Sequence, residues 1–290
     1  MPQDAAPQQA NQSSTSTALT RVALVVNTGK PEAVSAATAV RRDIEAHAHL
    51  VGQFESSADG KALEQDVDMA VVLGGDGTIL GLAREAVQAG VAVLGINFGK
   101  LGFLAEFNAA AFHRLAAEVL TGRATIRQVA ALDAQVIRNG QTIARQTAIN
   151  DVAICNGAPF RMIELGLRID NAPAHDAPRV AGDGLIIATP TGSTAYNAAA
   201  GGPILEPTLP AMVVTPIAAH SLSFRPIVVP AASTIEVVAH RVNRAAGHDP
   251  TAGTCAVIDG QHTTPLEKDD AVRITVGERP LSLVVNPERS

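Results

Sequence analysis

Gly74-Gly75-Asp76-Gly77-Thr78 carries the clearest chemistry in this chain. It follows the short apolar run Met69–Leu73 and precedes a helix predicted over Thr78–Gln88. In open α/β sheets, ligands bind where a buried strand ends and a helix begins. Gly74, Gly75 and Gly77 let the backbone approach a phosphate closely and adopt positive φ. The free N–H groups at the helix start attract an anion. Asp76 is the odd member, since its charge repels phosphate. It could hold a magnesium ion that bridges phosphates, or accept the proton of an attacking hydroxyl. The plainer alternative is a tight turn with Asp76 as a helix cap. Other phosphate motifs are absent: there is no G-x-x-x-x-G-K-[ST], and no kinase-type H-R-D or D-F-G. The glycines at 75, 77 and 81 miss the dinucleotide-binding spacing by one residue.

A second group begins at Gly182-Asp183-Gly184. The strand Leu185–Ala188 follows, then Thr189-Pro190-Thr191-Gly192-Ser193-Thr194-Ala195-Tyr196 and Asn197. Its hydroxyls could cap a helix or bond a sugar or amide. Tyr196 is the only tyrosine in a chain without tryptophan, and an aromatic face beside hydroxyls suits a nucleobase or nicotinamide. A plain Ser/Thr-rich turn with a packed Tyr fits as well. Asn150-Asp151, before the apolar Val152–Ile154, could read ribose hydroxyls and a base edge or simply start a strand. Lesser candidates are Lys100 and Phe103 in Gly99–Phe103, then Arg161, Arg179, and Gln261 in the turn Asp259-Gly260-Gln261; His220 is the histidine to watch. The eight histidines form no H-E-x-x-H pattern and the two cysteines no C-x-x-C, which argues against structural zinc.

These residues need elements to hold them. A strand is predicted at Arg21–Val26 and a helix over 31–46 with Pro31 in its first turn. Buried strands follow at Met69–Leu73 and Val91–Ile96, with another helix at Asn108–Leu120; the order is βαβ, an α/β unit with a Rossmann-like parallel sheet. After Thr125 the segments become short and β-branched. Asn139-Gly140 marks a two-residue hairpin, and only Ser193–Ala200 reads as helix. The strand Leu281–Val284 fits either half.

Composition sets outer limits. The chain has 290 residues, 47% hydrophobic and 17% charged, enough for a large core. Residues 1–20, rich in Gln, Ala, Ser and Thr, are expected to be a disordered tail. No uninterrupted apolar run is long enough to span a membrane. The N-terminus lacks a secretory pattern, so a cytoplasmic location is expected, with Cys155 and Cys255 as buried thiols. A net charge of −6 argues against nucleic-acid binding.

In this order the motifs resemble the NAD kinase family: GGDGT at 74–78, FGKLGFL at 98–104, ND at 150–151, GDGLIIATPTGSTAY at 182–196, GGP at 201–203 and DGQ at 259–261. GGDGT alone is shared with diacylglycerol-type lipid kinases and related phosphofructokinases; GGDGT followed by TGSTAY is specific. The resemblance implies an α/β domain at 21–124 and a β-rich, sandwich-like NAD-binding domain at 125–277, with 278–290 returning to the first and the site between them. Asp76 would accept the proton of the adenosine ribose 2′-hydroxyl as it attacks the γ-phosphate of ATP or another donor. Gly77 and its neighbours would cradle phosphate. Asn150, Asp151, Asp183 and Thr194–Tyr196 would hold NAD, and Mg²⁺ would arrive with the donor. A homo-oligomer is implied, in which a neighbouring subunit can complete the NAD site. Two departures stand out: Asp151 occupies a position that is often Glu, and Ala181 one that is Arg in some relatives, where Arg179 could substitute. A lipid kinase would need a membrane-facing basic or apolar helix, and none is visible. A non-catalytic nucleotide binder would have no need for Asp76.

Overall fold

The computed structural model describes residues 20–56, 61–99, 102–170, 178–220, 224–244 and 252–289. The N-terminal tail and Lys100 lie outside the described residues. The first elements are β1 (Arg21–Val26), α1 (Pro31–His47), β2 (His49–Glu55), β3 (Met69–Leu73), α2 (Asp76–Ala89), β4 (Ala92–Ile96) and α3 (Ala109–Val119). All five residues of β3 are buried, because the sheet is covered on both faces. Met69, Val71 and Leu73 pack with Val40 and Ile44 of α1 and Phe112 of α3. Ala70 and Val72 pack with Ile79 and Ala83 of α2. Each large side chain buried this way contributes roughly 1.5–3 kcal/mol. The half-buried edge strand β2 was not foreseen, since its residues lack a continuous apolar run.

The strand order is β2-β1-β3-β4-β18-β5, where β5 is Ile126–Val129 and β18 is Leu281–Val284. β18 pairs parallel with β4 and antiparallel with β5. β5 therefore joins the first sheet although it follows the change of composition near Thr125. The chain leaves β1 toward one side, through α1 to β2, and returns on the other side at β3. With α1 and α2 on opposite faces, a crevice opens beyond the carboxyl ends of β1 and β3, the place where such sheets take ligands.

The β-rich half contains β6 (Leu132–Arg138), β7 (Gln141–Ala148), β8 (Asp151–Cys155), β9 (Ile163–Ile169), β10 (Arg179–Gly182), β11 (Gly184–Ala188), β12 (Ala211–Ile217), β13 (Ile227–Pro230), β14 (Ile235–Arg241), β15 (Cys255–Ile258), β16 (His262–Pro265) and β17 (Ala271–Val276). They form two antiparallel sheets, ordered β10-β9-β14-β17-β6-β7 and β13-β12-β11-β8-β15-β16. Val136, Leu165 and Val237 of one sheet share a core with Ile154, Ile187 and Val214 of the other, as in a sandwich. Asn139 and Gly140 turn the β6–β7 hairpin with φ of 51° and 77°, as a type I′ turn requires. The expected helix at 193–200 is instead a 3-10 turn, Thr191–Thr194, followed by one turn of α4, Tyr196–Ala199. Ala195, with ψ of −126°, separates them.

Candidate active site

The glycine turn is built by close approach. A Cβ on Gly74 would lie 2.4 Å from the Thr78 hydroxyl, so any side chain there would displace the start of α2. That hydroxyl accepts from Asn27 Nδ2 at 2.8 Å. Asn27 belongs to the turn after β1, where its Oδ1 accepts from Gly29 N–H. The same turn carries Lys30, whose ammonium lies 3.2 Å from where a Cβ on Gly75 would stand. Two turns from adjacent parallel strands thus face each other across the crevice and put a cation over the glycines. Gly77 is exposed, with open space where its Cβ would be.

Asp76 is the first residue of α2, and Gly75 is its cap. Its carboxylate does not cap the helix. Instead Oδ2 accepts from Phe103 N–H at 2.9 Å, and Oδ1 accepts from Leu104 and Ala105 N–H at 3.2 and 2.9 Å. Gly102 is required beside it, because a Cβ there would come within 2.0 Å of Oδ1. The 102–106 loop is itself anchored. Glu106 pairs with Arg127 at 2.6 Å and accepts from Asn286 N–H at 3.0 Å. Arg289 donates to the Gly102 carbonyl at 2.8 Å. Three donors fix the direction of the Asp76 carboxylate; Oδ1 takes two of them, and Oδ2, with one, keeps acceptor capacity.

The hydroxyl-rich segment packs on Asn150-Asp151. The Thr189 hydroxyl donates to the Ile149 carbonyl at 2.7 Å and accepts from Gly192 N–H at 2.9 Å. A Cβ on Gly192 would lie 1.9 Å from the Asn150 carbonyl oxygen. From the other side the Asp259 carboxylate accepts from Ile149, Asn150 and Asp151 N–H at 2.7 to 3.0 Å. Asp151 is buried. Burial, and next the charge of Asp259, push its carboxyl up to about 7. Asn156 Nδ2 donates to exposed Asp183 at 2.8 Å. Tyr196 is 44% exposed, and its hydroxyl is hydrogen-bonded to the Cys155 thiol, which burial pushes up to about 11.

The two halves meet over the glycine turn. Gln261 Nε2 donates to the Gly77 carbonyl at 3.3 Å. This brings the β15–β16 turn, the Asp151 region and Asp76 around one cleft.

Comparison with known proteins decides what the cleft belongs to. The ATP-NAD kinase N-terminal domain model matches residues 38–124, and the C-terminal domain model matches 149–285. The chain belongs to the NAD kinase family. It is 40% identical over 222 residues to the NAD kinase of Thiobacillus denitrificans, covering 77% of this chain and 72% of that protein. It is 37% identical over 230 residues to the NAD kinase of Desulforamulus reducens, covering 79% and 76%. Its fold is that of yeast NADH kinase solved with NADH (TM-score 0.77, 23% identity, covering 94% of this chain and 85% of that one). It is also that of an Archaeoglobus fulgidus NAD kinase solved with ATP (TM-score 0.72, 24% identity, covering 93% and 95%). As a member of the NAD kinase family, the protein is an enzyme, a kinase.

Several residues singled out from the NAD kinase motifs have internal partners. The buried Ser193 hydroxyl donates to the Pro190 carbonyl at 2.5 Å and accepts from Leu205 N–H at 2.9 Å. Buried Asn197 donates to the Ser193 and Pro203 carbonyls and accepts from the Thr215 hydroxyl. Thr194 donates to the Thr191 carbonyl at 3.1 Å. Arg179 pairs with Glu164 across β9 and β10 at 2.6 Å. Arg161 is exposed, and its carbonyl accepts from Asn243 Nδ2 at 2.7 Å. The Phe103 ring is 56% exposed while its N–H serves Asp76. Exposed His220 donates its N–H to the Ala181 carbonyl at 2.8 Å. Sequence reasoning missed Lys30, Asn27, Asn156 and the Glu106–Arg127 pair. The signal for the first two was the Asn-Thr-Gly-Lys turn ending a strand beside the glycine turn.

Proposed function

We propose that the enzyme transfers the γ-phosphoryl group of ATP to the 2′-hydroxyl of the adenosine ribose of NAD, giving NADP and ADP. One observation carries this reading. Asp76, a carboxylate inside a phosphate-type turn, is held by three backbone donors, and the Lys30 ammonium stands beside its neighbour Gly75. In the proposed step the ribose oxygen attacks the γ-phosphorus, the bond from γ-phosphorus to the bridging oxygen breaks, and ADP leaves with that oxygen. The hydroxyl proton passes to Asp76. Phosphoryl transfer asks mainly for positioning and charge neutralisation. Lys30 and the N–H groups of Gly75 and Gly77 supply these on the donor side, with Gly74 allowing the turn to close and the Thr78 N–H held by the Gly75 carbonyl at 2.9 Å.

On the acceptor side, Asn150, Asp151, Asp183 with Asn156, Thr191, Thr194, Ala195 and Tyr196 hold NAD. Ser193 and Asn197 shape that wall from behind, and Gln261 fixes it to the glycine turn. Phe103 forms a rim. Arg161 and Arg179 stand outside the cluster and reach nucleotide phosphate across a subunit boundary. A single carboxylate beside phosphates fits magnesium carried by the donor rather than by a protein cage. Among the described residues no group of three His, Cys, Asp or Glu could hold a metal. The metal would supply charge neutralisation on the γ-phosphate.

A homo-oligomer fits the edge strand β13, whose Ile227 and Val228 are exposed. Cys155 on β8 and Cys255 on β15 face each other across the two strands as thiols, which suits the reducing cytoplasm. The test is a product assay: NAD, ATP and Mg²⁺ with the protein, NADP being read by an NADP-specific dehydrogenase. NADP formation is the expected result. No NADP from ATP, other triphosphates or polyphosphate refutes the reading.

A further inference from the structure

The short arc of backbone that donates to Asp76 is clamped at both ends by one guanidinium. Arg127 belongs to β5, the outermost strand of the first sheet. Its Nη2 donates to the Phe103 carbonyl at 3.2 Å and to the Glu106 carboxylate at 2.6 Å. Phe103 opens the arc, giving its N–H to Asp76 Oδ2. Ala105, the neighbour of Glu106, closes it with an N–H to Oδ1.

The far end of the arc rests on the sheet. Phe107 N–H donates to the Gly95 carbonyl of β4 at 3.1 Å. A Cβ on Gly95 would lie 2.9 Å from the Ala105 Cα, so the arc sits directly on that strand. Glu106 is 5% exposed, and its carbonyl accepts from Asn286 Nδ2 at 3.3 Å. The Phe103 end has no such bed, since that residue is 56% exposed. There Arg127 supplies the tie.

Stability is a poor account of this pair. A buried ion pair gains little over apolar side chains of similar size, because desolvation offsets the attraction. Arg127 also buries its Nε without a hydrogen-bond partner, which adds to the cost. What charge-assisted bonds offer is short, well-directed geometry. We propose that Arg127, acting through Glu106 and the Phe103 carbonyl, is a positioning residue that sets the angle at which Asp76 meets the acceptor hydroxyl. The proposal rests on Asp76 being the base. A base must stand within hydrogen-bond reach of the proton that it takes. Lys30, Asn150 and Tyr196, which serve binding, lie on other segments, so Arg127 acts on turnover and leaves substrate affinity alone.

The test is the paired variant Arg127→Met with Glu106→Gln in the full chain. The glutamine removes the charge that Arg127→Met alone would strand, and it can still accept from Asn286. Its kcat is expected to fall about 10- to 100-fold, the effect of a displacement on the order of 1 Å, with KM for NAD and ATP within about twofold. In an Asp76→Asn background the same pair should change kcat by less than about twofold, since no base is left to misdirect. Amide hydrogen exchange, read by mass spectrometry on peptides covering 102–106, should quicken about tenfold or more, while peptides covering β1 and β3 stay as in wild type. With Asp76→Asn inactive, four results each overturn this proposal alone: kcat within threefold of wild type, a rise in KM in its place, an equal loss in the Asp76→Asn background, or unchanged exchange over 102–106. Wild-type turnover in Asp76→Asn by itself overturns the base assignment, and this proposal with it.

Discussion

Replacing Asp151 with Asn tests the electrostatics of the NAD wall. The native carboxyl is pushed up to about 7, from 3.8 for an ordinary aspartate, because it is buried and sits beside Asp259. Between those two pH values the folded protein keeps a proton that the unfolded chain has released. Stability from this group is therefore fully present below about pH 4 and is lost as pH rises toward 7, with no further change above. A shift of about 3 units corresponds to roughly 4 kcal/mol at about 1.4 kcal/mol per unit. Asp151→Asn keeps the shape and removes the titration. At pH 8 the variant should be the more stable protein by up to about 4 kcal/mol. At pH 4.5 the two should agree within about 1 kcal/mol, the net worth of one altered hydrogen bond. Urea denaturation of both proteins at pH 4.5, 6 and 8 measures this, each midpoint being converted with the common slope. Equal stability of the two at pH 8, or a difference that does not change with pH, would refute the reasoning.

Asp76→Asn should lower turnover by about 10²- to 10⁴-fold. Its amide would also set an N–H group against at least one of the three backbone donors, at about 1–3 kcal/mol of stability; turnover within threefold of wild type would sink the base assignment. Lys30→Met should raise KM for ATP about tenfold or more while KM for NAD stays within about twofold, and an effect on NAD alone would count against its placement over the glycines. Gly192→Ala presses a methyl group against the Asn150 carbonyl, 1.9 Å from the ideal Cβ. Because backbone lies on both sides, it should cost upwards of about 3 kcal/mol in thermal or urea unfolding, and an unchanged midpoint would contradict the close packing of these segments.

The sequence revealed most where one segment is enough. Met69–Leu73 followed by glycines declares a buried strand and a ligand turn without help from the rest of the chain, and Asn139-Gly140 declares its hairpin. Lys30 was hidden for the opposite reason. Only the order β2-β1-β3-β4 brings its turn beside residues more than forty positions away, and strand order is not written in local periodicity. The NAD wall was legible as a cluster but not in its division of labour. Ser193, Asn197 and Tyr196 look alike as polar residues on one turn, yet burial commits the first two to neighbouring backbone and leaves Tyr196 at the surface. Asp76 stood out by type, whereas its three amide partners depend on a loop pinned by Glu106, Arg127 and Asn286 from distant parts of the chain.

The return of β18 to the first sheet has a consequence for how the protein is made. Among the described residues β5 pairs with β18 alone, and the segment that anchors the Asp76 loop, Asn286 and Arg289, lies just beyond β18. During synthesis the α/β sheet must wait, its edge open, while the whole sandwich emerges from the ribosome and folds. The sandwich is one uninterrupted stretch, β6 to β17, and can close as soon as it is out. The half that is made first is thus the half that is finished last, and the loop that aims Asp76 is locked only when Asn286 and Arg289 arrive.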